Sequence, residues 1–370
     1  MTPGADPTAY APQTVPSPGE TLKETLEVLG IGQADLARRT GLSTKHINQV
    51  VQGTAPLSPE TALLLERATG VPAGMWNALE ATWRTQVVQE QEERDLAGQT
   101  GWLDHFPLDA LVDRHVLPDR TTTVANLRRL LDFFAVATPR VAEGLWDGNR
   151  TAFRRSTVTT RDEYATVTWL RLAERDAHDI KCAPYDRNDL TALLPRLRDL
   201  TLDEPQTWFT ELPRLCAQAG VAVVFVPALP RTSISGATRW LSPDKVMVAL
   251  SDRFKRDDQF WFSVFHEIAH VLLHGKRLTF LDDSDKLTSS DASVDASEAE
   301  ANDFAALTLI PAQHAAAYRQ LQARPTPFTR IEAFAASAGI ATGIVVGRLQ
   351  HDGSLPWSQG HRYKRPVTFP

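Results

Sequence analysis

His266-Glu267-Ile268-Ala269-His270 sets two imidazoles four residues apart with a carboxylate beside the first. On an α-helix, positions i and i+4 share a face, so both imidazoles can bind one metal ion. Zinc suits such ligands, and there it would polarise a carbonyl and acidify a water to near neutrality. Glu267 would project beside the metal as the general base of peptide hydrolysis. The surrounding helix, DQFWFSVFHEIAHVLLHG, is apolar, which fits a buried active-site helix better than a chance pattern on a surface.

A catalytic zinc needs a third protein ligand and an open position. The helix SEAEANDFAALTLIP supplies the candidates. Glu298 and Asn302 share a face, so Glu298 can bind zinc while Asn302 holds a ligand histidine from behind. Glu300 points roughly 200° away from Glu298 on an ideal helix, and it has capping-box spacing from Ser297. His274 continues the His266–His270 face a turn further on, as a piece that closes the site or caps the helix end. Arg239, His274, His314 and Tyr318 are open alternatives for stabilising an oxyanion.

A second chemistry lies near the N-terminus. GQADLARRTGLSTKHINQVVQG has the spacing of a helix-turn-helix: small Ala37 at the crossing, Gly41 in the turn, Ser43 as N-cap. Ile47 and Val50 then face Leu36 and Leu42. Thr44, Lys45, His46, Asn48 and Gln49 point outward with Ser43 near the helix start, where base edges are read, and Gln33 is placed to contact a phosphate. Residues 18–84 hold six Lys/Arg and seven Asp/Glu, a net of -1, so few phosphate contacts are available. A protein-docking use of the module therefore stays open beside DNA binding. A second stretch of similar spacing, 334–349, lacks outward polar residues and reads as a packed helical hairpin.

The elements that must position these groups follow from patterning. A disordered Pro-rich tail is expected over 1–17, short helices over 18–85, and a polar exposed helix or linker over 86–98. Helices dominate 86–200 as a connecting region. VAVVFVP reads as a strand, and SGATRWL with KVMVALS as a hairpin turning at Ser242-Pro243-Asp244. The metal helix, a polar loop over 278–296, and a helix from about 297 to Pro311 complete a domain over 201–325. A helical hairpin and tail fill 326–370. The expected fold is multidomain: an all-α helix-turn-helix domain, a helical middle, and an α+β peptidase domain. Ser235–Trp240 is the candidate edge strand for pairing with an extended substrate.

HEIAHVLLH, EAEANDFAALTLIP and the run SGATRWLSPDKVMVALSDRFKRDDQFWFSVFHEIAH resemble the ImmA/IrrE family of zinc metallopeptidases over about residues 200–320. The resemblance implies a zincin-like, gluzincin-type fold, zinc on His266, His270 and Glu298, Glu267 as base, and cleavage of a repressor protein in stress or mobile-element settings. Where that family ends its second motif in Leu-Leu-Met-Pro, this chain has Leu307-Thr308-Leu309-Ile310-Pro311, a conservative departure. Residues 18–83 resemble HigA-type antitoxins of the lambda-repressor-like (XRE) class. That implies a five-helix domain, dimeric binding to palindromic DNA, and neutralisation of a toxin.

The bulk numbers exclude little. The 370 residues suggest two or three domains. The net charge of -6 confines any nucleic-acid contact to a local surface. Cys182 and Cys216 are neither a disulfide framework nor a thiolate metal site. No membrane-length apolar run or leader is evident, and a cytoplasmic location is the expectation. Two readings remain: a DNA-tethered zinc endopeptidase, and a HigA-like antitoxin or regulator whose peptidase fold senses without cutting.

Overall fold

The computed structural model describes residues 15–153, 162–232, 234–253, 255–274, 280–282, 292–322 and 326–369. Residues 1–14 of the expected tail, and most of the expected 278–296 loop, lie outside the described residues. The chain divides into two compact units, 1–100 and 101–370. The architecture is multidomain, with a helix-turn-helix region first and a small mixed sheet with helices after it.

The first unit is all-helical: α1 (Pro18–Leu29), α2 (Gln33–Thr40), α3 (Thr44–Val51), α4 (Pro59–Thr69) and α5 (Ala73–Ala97). Hydroxyl caps set three of its helix starts. Ser17 and Glu20 form a reciprocal capping box on α1, and Ser43 and Ser58 cap α3 and α4. Gly41 ends α2 at φ 76°, a conformation that favours glycine. Leu22, Leu26, Leu36, Ile47, Val50, Leu65 and Trp76 form the core. The polar stretch 86–98 continues α5 almost to its end.

The second unit opens with the helices α6 (Leu108–Asp113), α7 (Val124–Phe134), α8 (Pro139–Phe153), α9 (Glu163–Asp179), α10 (Arg187–Asp199) and α11 (Pro205–Ala217). Strands β1 (Val221–Phe225), β2 (Gly236–Ser242) and β3 (Lys245–Leu250) follow, then α12 (Asp257–Leu273), β4 (Phe280–Asp282) and α13 (Ala292–Leu309). The unit closes with α14 (Ala315–Gln322), α15 (Phe328–Ala338) and α16 (Thr342–His351). The sheet order is β1-β3-β2-β4. β1 runs parallel to β3, the β2–β3 hairpin is antiparallel, and β4 is antiparallel to β2.

The alternation of each strand sorts the sheet into two faces. Val221, Val223, Val246, Val248 and Trp240 join the core under α11 and α12, together with Trp208, Trp261 and Phe265. The neighbouring positions face the other way, where Arg239 meets Glu174 of α9. The sequence-based expectation of a free edge at Ser235–Trp240 is corrected here. Gly236, Ala237 and Thr238 are paired on one side with β3 and on the other with β4.

The start of α12 is fixed by the chain's last residues. Asp257 accepts a hydrogen bond from Arg365 Nε at 2.9 Å, and Asp258 pairs with Lys364 Nζ at 2.6 Å. The Asp257 amide donates to Arg365 O, and Val367 N to Lys255 O. Burial raises the Asp257 carboxyl above its ordinary value, while Arg365 opposes that shift. Gly343 and Gly347 let α16 approach so closely that an added Cβ would lie under 3 Å from these aspartates. The α15–α16 hairpin buries Ile331, Phe334, Ile344, Val345 and Val346, as a packed element would. Among the described residues no single helix is long and apolar enough to cross a membrane.

Candidate metal centre and candidate DNA-reading helix

His266 and His270 sit on one face of α12 and are almost wholly buried. Their Nε2 atoms lie 3.0 Å apart. Glu298, on α13, brings Oε2 to 3.1 Å from His266 Nε2 and Oε1 to 3.6 Å from His270 Nε2. The three residues offer ligand atoms that all lie within 4.8 Å of one another.

The outer hydrogen bonds orient these rings. Asn302 Oδ1 faces His266 Nδ1 at 3.0 Å, and an amide oxygen can only accept, so that nitrogen carries the proton. Nε2 of His266 then turns a lone pair toward the Glu298 carboxylate. His270 Nδ1 faces His274 Nδ1 at 2.9 Å, and His274 Nε2 faces Glu300 Oε2 at 3.3 Å. With His274 donating to the carboxylate, His270 donates to His274 and its Nε2 also points a lone pair inward. Burial first, and the His266 and His274 imidazoles second, push His270 down to about 2, so its ring stays neutral.

These donors fit a metal ion. Lone pairs from two imidazoles and a carboxylate face one another, an arrangement that a cation satisfies. Two imidazole nitrogens sharing a tetrahedral zinc stand roughly 3.3 Å apart, close to the spacing present here.

Glu267 lies on the sheet side of α12 and is fully buried. Thr238 Oγ1 on β2 donates to its Oε2 at 2.6 Å. Gly236, two residues earlier on the same face, makes room for it: an added Cβ would lie 2.4 Å from Glu267 Oε1. Thr238 and Gly236 carried no signal in the sequence, because a strand residue's partner across a sheet–helix gap is a long-range fact. His274 was legible only as a continuation of the histidine face. Glu300 is not the N3 of a capping box: α13 begins at Ala292, so Ser297 lies inside the helix. Three of the four oxyanion candidates are engaged elsewhere. Arg239 pairs with Glu174, the Tyr318 hydroxyl donates to Asp352 at 2.9 Å, and the His314 ring stands edge-on to Phe334.

In the N-terminal unit, α3 carries the residues expected to read base edges. Ser43 Oγ accepts from the His46 amide at 3.1 Å. Ile47 and Val50 are buried, while Ser43, Thr44, Lys45 and Asn48 are exposed and Gln33, His46 and Gln49 half-buried. α3 carries no acidic residue. Among the described residues the unit's acids lie on α1, α4, α5 and at Asp35 of α2, which binds Arg38 and Arg39 at 3.0 and 2.8 Å. The outward face of α3 is thus less acidic than the unit as a whole.

Comparison with known families agrees with both halves. A peptidase family described as the IrrE N-terminal-like domain matches residues 216–339. A helix-turn-helix family matches residues 22–76. The chain joins an XRE-type helix-turn-helix domain to an IrrE-like peptidase domain. Over 68 residues it is 29% identical to YddM of Escherichia coli (strain K12), an uncharacterized HTH-type transcriptional regulator. That match covers 18% of this chain and 72% of YddM. The candidate metal-ligand cluster lies wholly within the stretch matched to the peptidase family, and α3 within the stretch matched to the helix-turn-helix family. The strap that anchors α12, Lys364 to Val367, lies beyond the matched residues.

Proposed function

We propose that this chain is a zinc-dependent endopeptidase carrying its own DNA-binding domain, and that it cleaves a transcriptional repressor or related regulator in a stress, mobile-element or toxin–antitoxin setting. The observation that carries it is the convergence of His266, His270 and Glu298, each with its reactive atom turned to one point. Bound there, zinc would supply Lewis-acid polarisation of the scissile carbonyl and acidify a water to near neutrality. Asn302 and His274 hold the two imidazoles in the tautomer that ligates through Nε2. Glu267 takes the proton of the attacking water and returns it to the leaving amine. Thr238 and Gly236 fix the side chain that does so. α3 reads DNA through Thr44, Lys45, His46, Asn48 and Gln49, with Ser43 at its start and Gln33 on a phosphate. Two copies on a palindromic site would double the few phosphate contacts of each.

Co-expression with the repressors encoded beside it tests the proposal. Wild-type chain should cut one of them, and Glu267→Gln should leave it intact. Intact candidates with both versions, together with zinc-free purified protein, would end the enzyme reading. The similarity of the N-terminal unit to an HTH-type regulator favours a second reading, a HigA-like antitoxin or regulator that senses through its peptidase fold. Operator binding unaffected by Glu267→Gln, with no cleavage, would support that instead.

A further inference from the structure

A peptide cut at this centre must pass its carbonyl between the ligand cluster and Glu267. The strand beside Glu267 is β2, through Gly236 and Thr238. An extended peptide docks on such a strand by adding to its edge and borrowing its backbone hydrogen bonds. One edge of β2 is taken by β3 along Gly236–Trp240. The other is held by β4, with Asp282 opposite Gly236, Leu281 opposite Ala237 and Phe280 opposite Thr238. β4 therefore covers the two residues that position the proposed base, and it also packs on α12. In the chain it lies between α12 and α13, the two helices that carry the ligand residues.

We infer that β4 is an internal occupant of the peptide-docking edge of β2, and that an extended substrate is cut only after it displaces Phe280–Asp282. The inference rests on the peptidase reading and adds its regulation. β4 pairs over three residues, whereas β3 pairs with β2 at six positions. Few ladder bonds hold it, so a longer peptide replaces it with a net gain in backbone pairing. The resting enzyme is then sparing toward short peptides and responsive to a partner that exposes a long extended segment.

A staple tests this in the zinc-loaded full chain. Ala237→Cys with Leu281→Cys, in a Cys182→Ser, Cys216→Ala background, places cysteines at register partners and is closed with diamide. Two probes are compared: acetohydroxamate, which needs only the metal, and a tetrapeptide hydroxamate, which also needs the strand edge. The closed staple should weaken the tetrapeptide hydroxamate at least tenfold relative to the reduced form and leave acetohydroxamate unchanged. Leu281→Pro, which removes a backbone donor from β4, should tighten the tetrapeptide probe several-fold. Equal tetrapeptide binding by closed, reduced and Pro forms, with acetohydroxamate bound by all, would overturn the β4 inference and leave the peptidase reading standing. Acetohydroxamate bound by none would overturn both.

Discussion

The two helices that carry the candidate chemistry are built on opposite principles. α3 turns its polar residues to solvent, where a partner must complete them. α12 buries its polar residues and completes them internally: His266 on Asn302, His270 on His274, Glu267 on Thr238, and Asp257 and Asp258 on the C-terminal strap. A reading surface can tolerate change because water replaces a lost contact. A buried polar site cannot, because each missing partner leaves a desolvated group behind.

The largest contrast should appear in the ion pairs. Lys364→Met strands Asp258 in the core and should cost about 3–5 kcal/mol of unfolding free energy. Asp35→Asn in the surface pairs of α2 should cost about 1 kcal/mol or less. Chemical denaturation of both variants checks this, and equal losses would erase the distinction. Next comes crowding of the proposed base. Gly236→Ala drives a methyl into Glu267, so peptide hydrolysis should fall on the order of 100-fold while zinc content stays at the wild-type level. Removing the ring braces should act on the metal itself. Asn302→Ala and His274→Phe should each weaken zinc binding about 10- to 100-fold, read by competition with a chromophoric chelator.

Smaller effects follow. Because His270 is pushed down to about 2 in the fold from an ordinary 6.5, only the unfolded chain takes up its proton as pH falls. Stability of the metal-free protein should therefore be flat above pH 6.5 in this respect and decline below it. His270→Leu should flatten that decline in melts run from pH 7 to 4. On α3, Lys45→Ala should weaken binding to the operator relative to unrelated duplex by about 1–3 kcal/mol, the worth of one base-edge contact, with little change in fold.

Much of this was legible in the sequence for a physical reason: helical spacing is local. Two histidines at i and i+4, and Glu298 with Asn302, declare their shared faces without knowledge of the rest. The same holds for Gly41 and Ser43, which mark a turn and a cap. What was hidden depends on how distant segments meet. Gly236 and Thr238 acquire a role only when the sheet lies on α12. The 278–296 stretch read as a loop because it is polar, yet Phe280–Asp282 forms a strand through its backbone. Glu300 looked like a cap because a helix start was placed at Ser297, but α13 begins earlier at Ala292. Lys364 and Arg365 read as an ordinary tail, since nothing local shows that two buried aspartates await them.

The central claim is that His266, His270 and Glu298 together hold one metal ion. Titration of metal-free protein with zinc, followed by metal analysis after gel filtration, tests it most directly. The account predicts one zinc per wild-type chain, and its loss from both His270→Ala and Glu298→Ala with the fold retained by circular dichroism. Wild-type protein that holds no zinc, or Glu298→Ala that holds it as tightly as wild type, would contradict it.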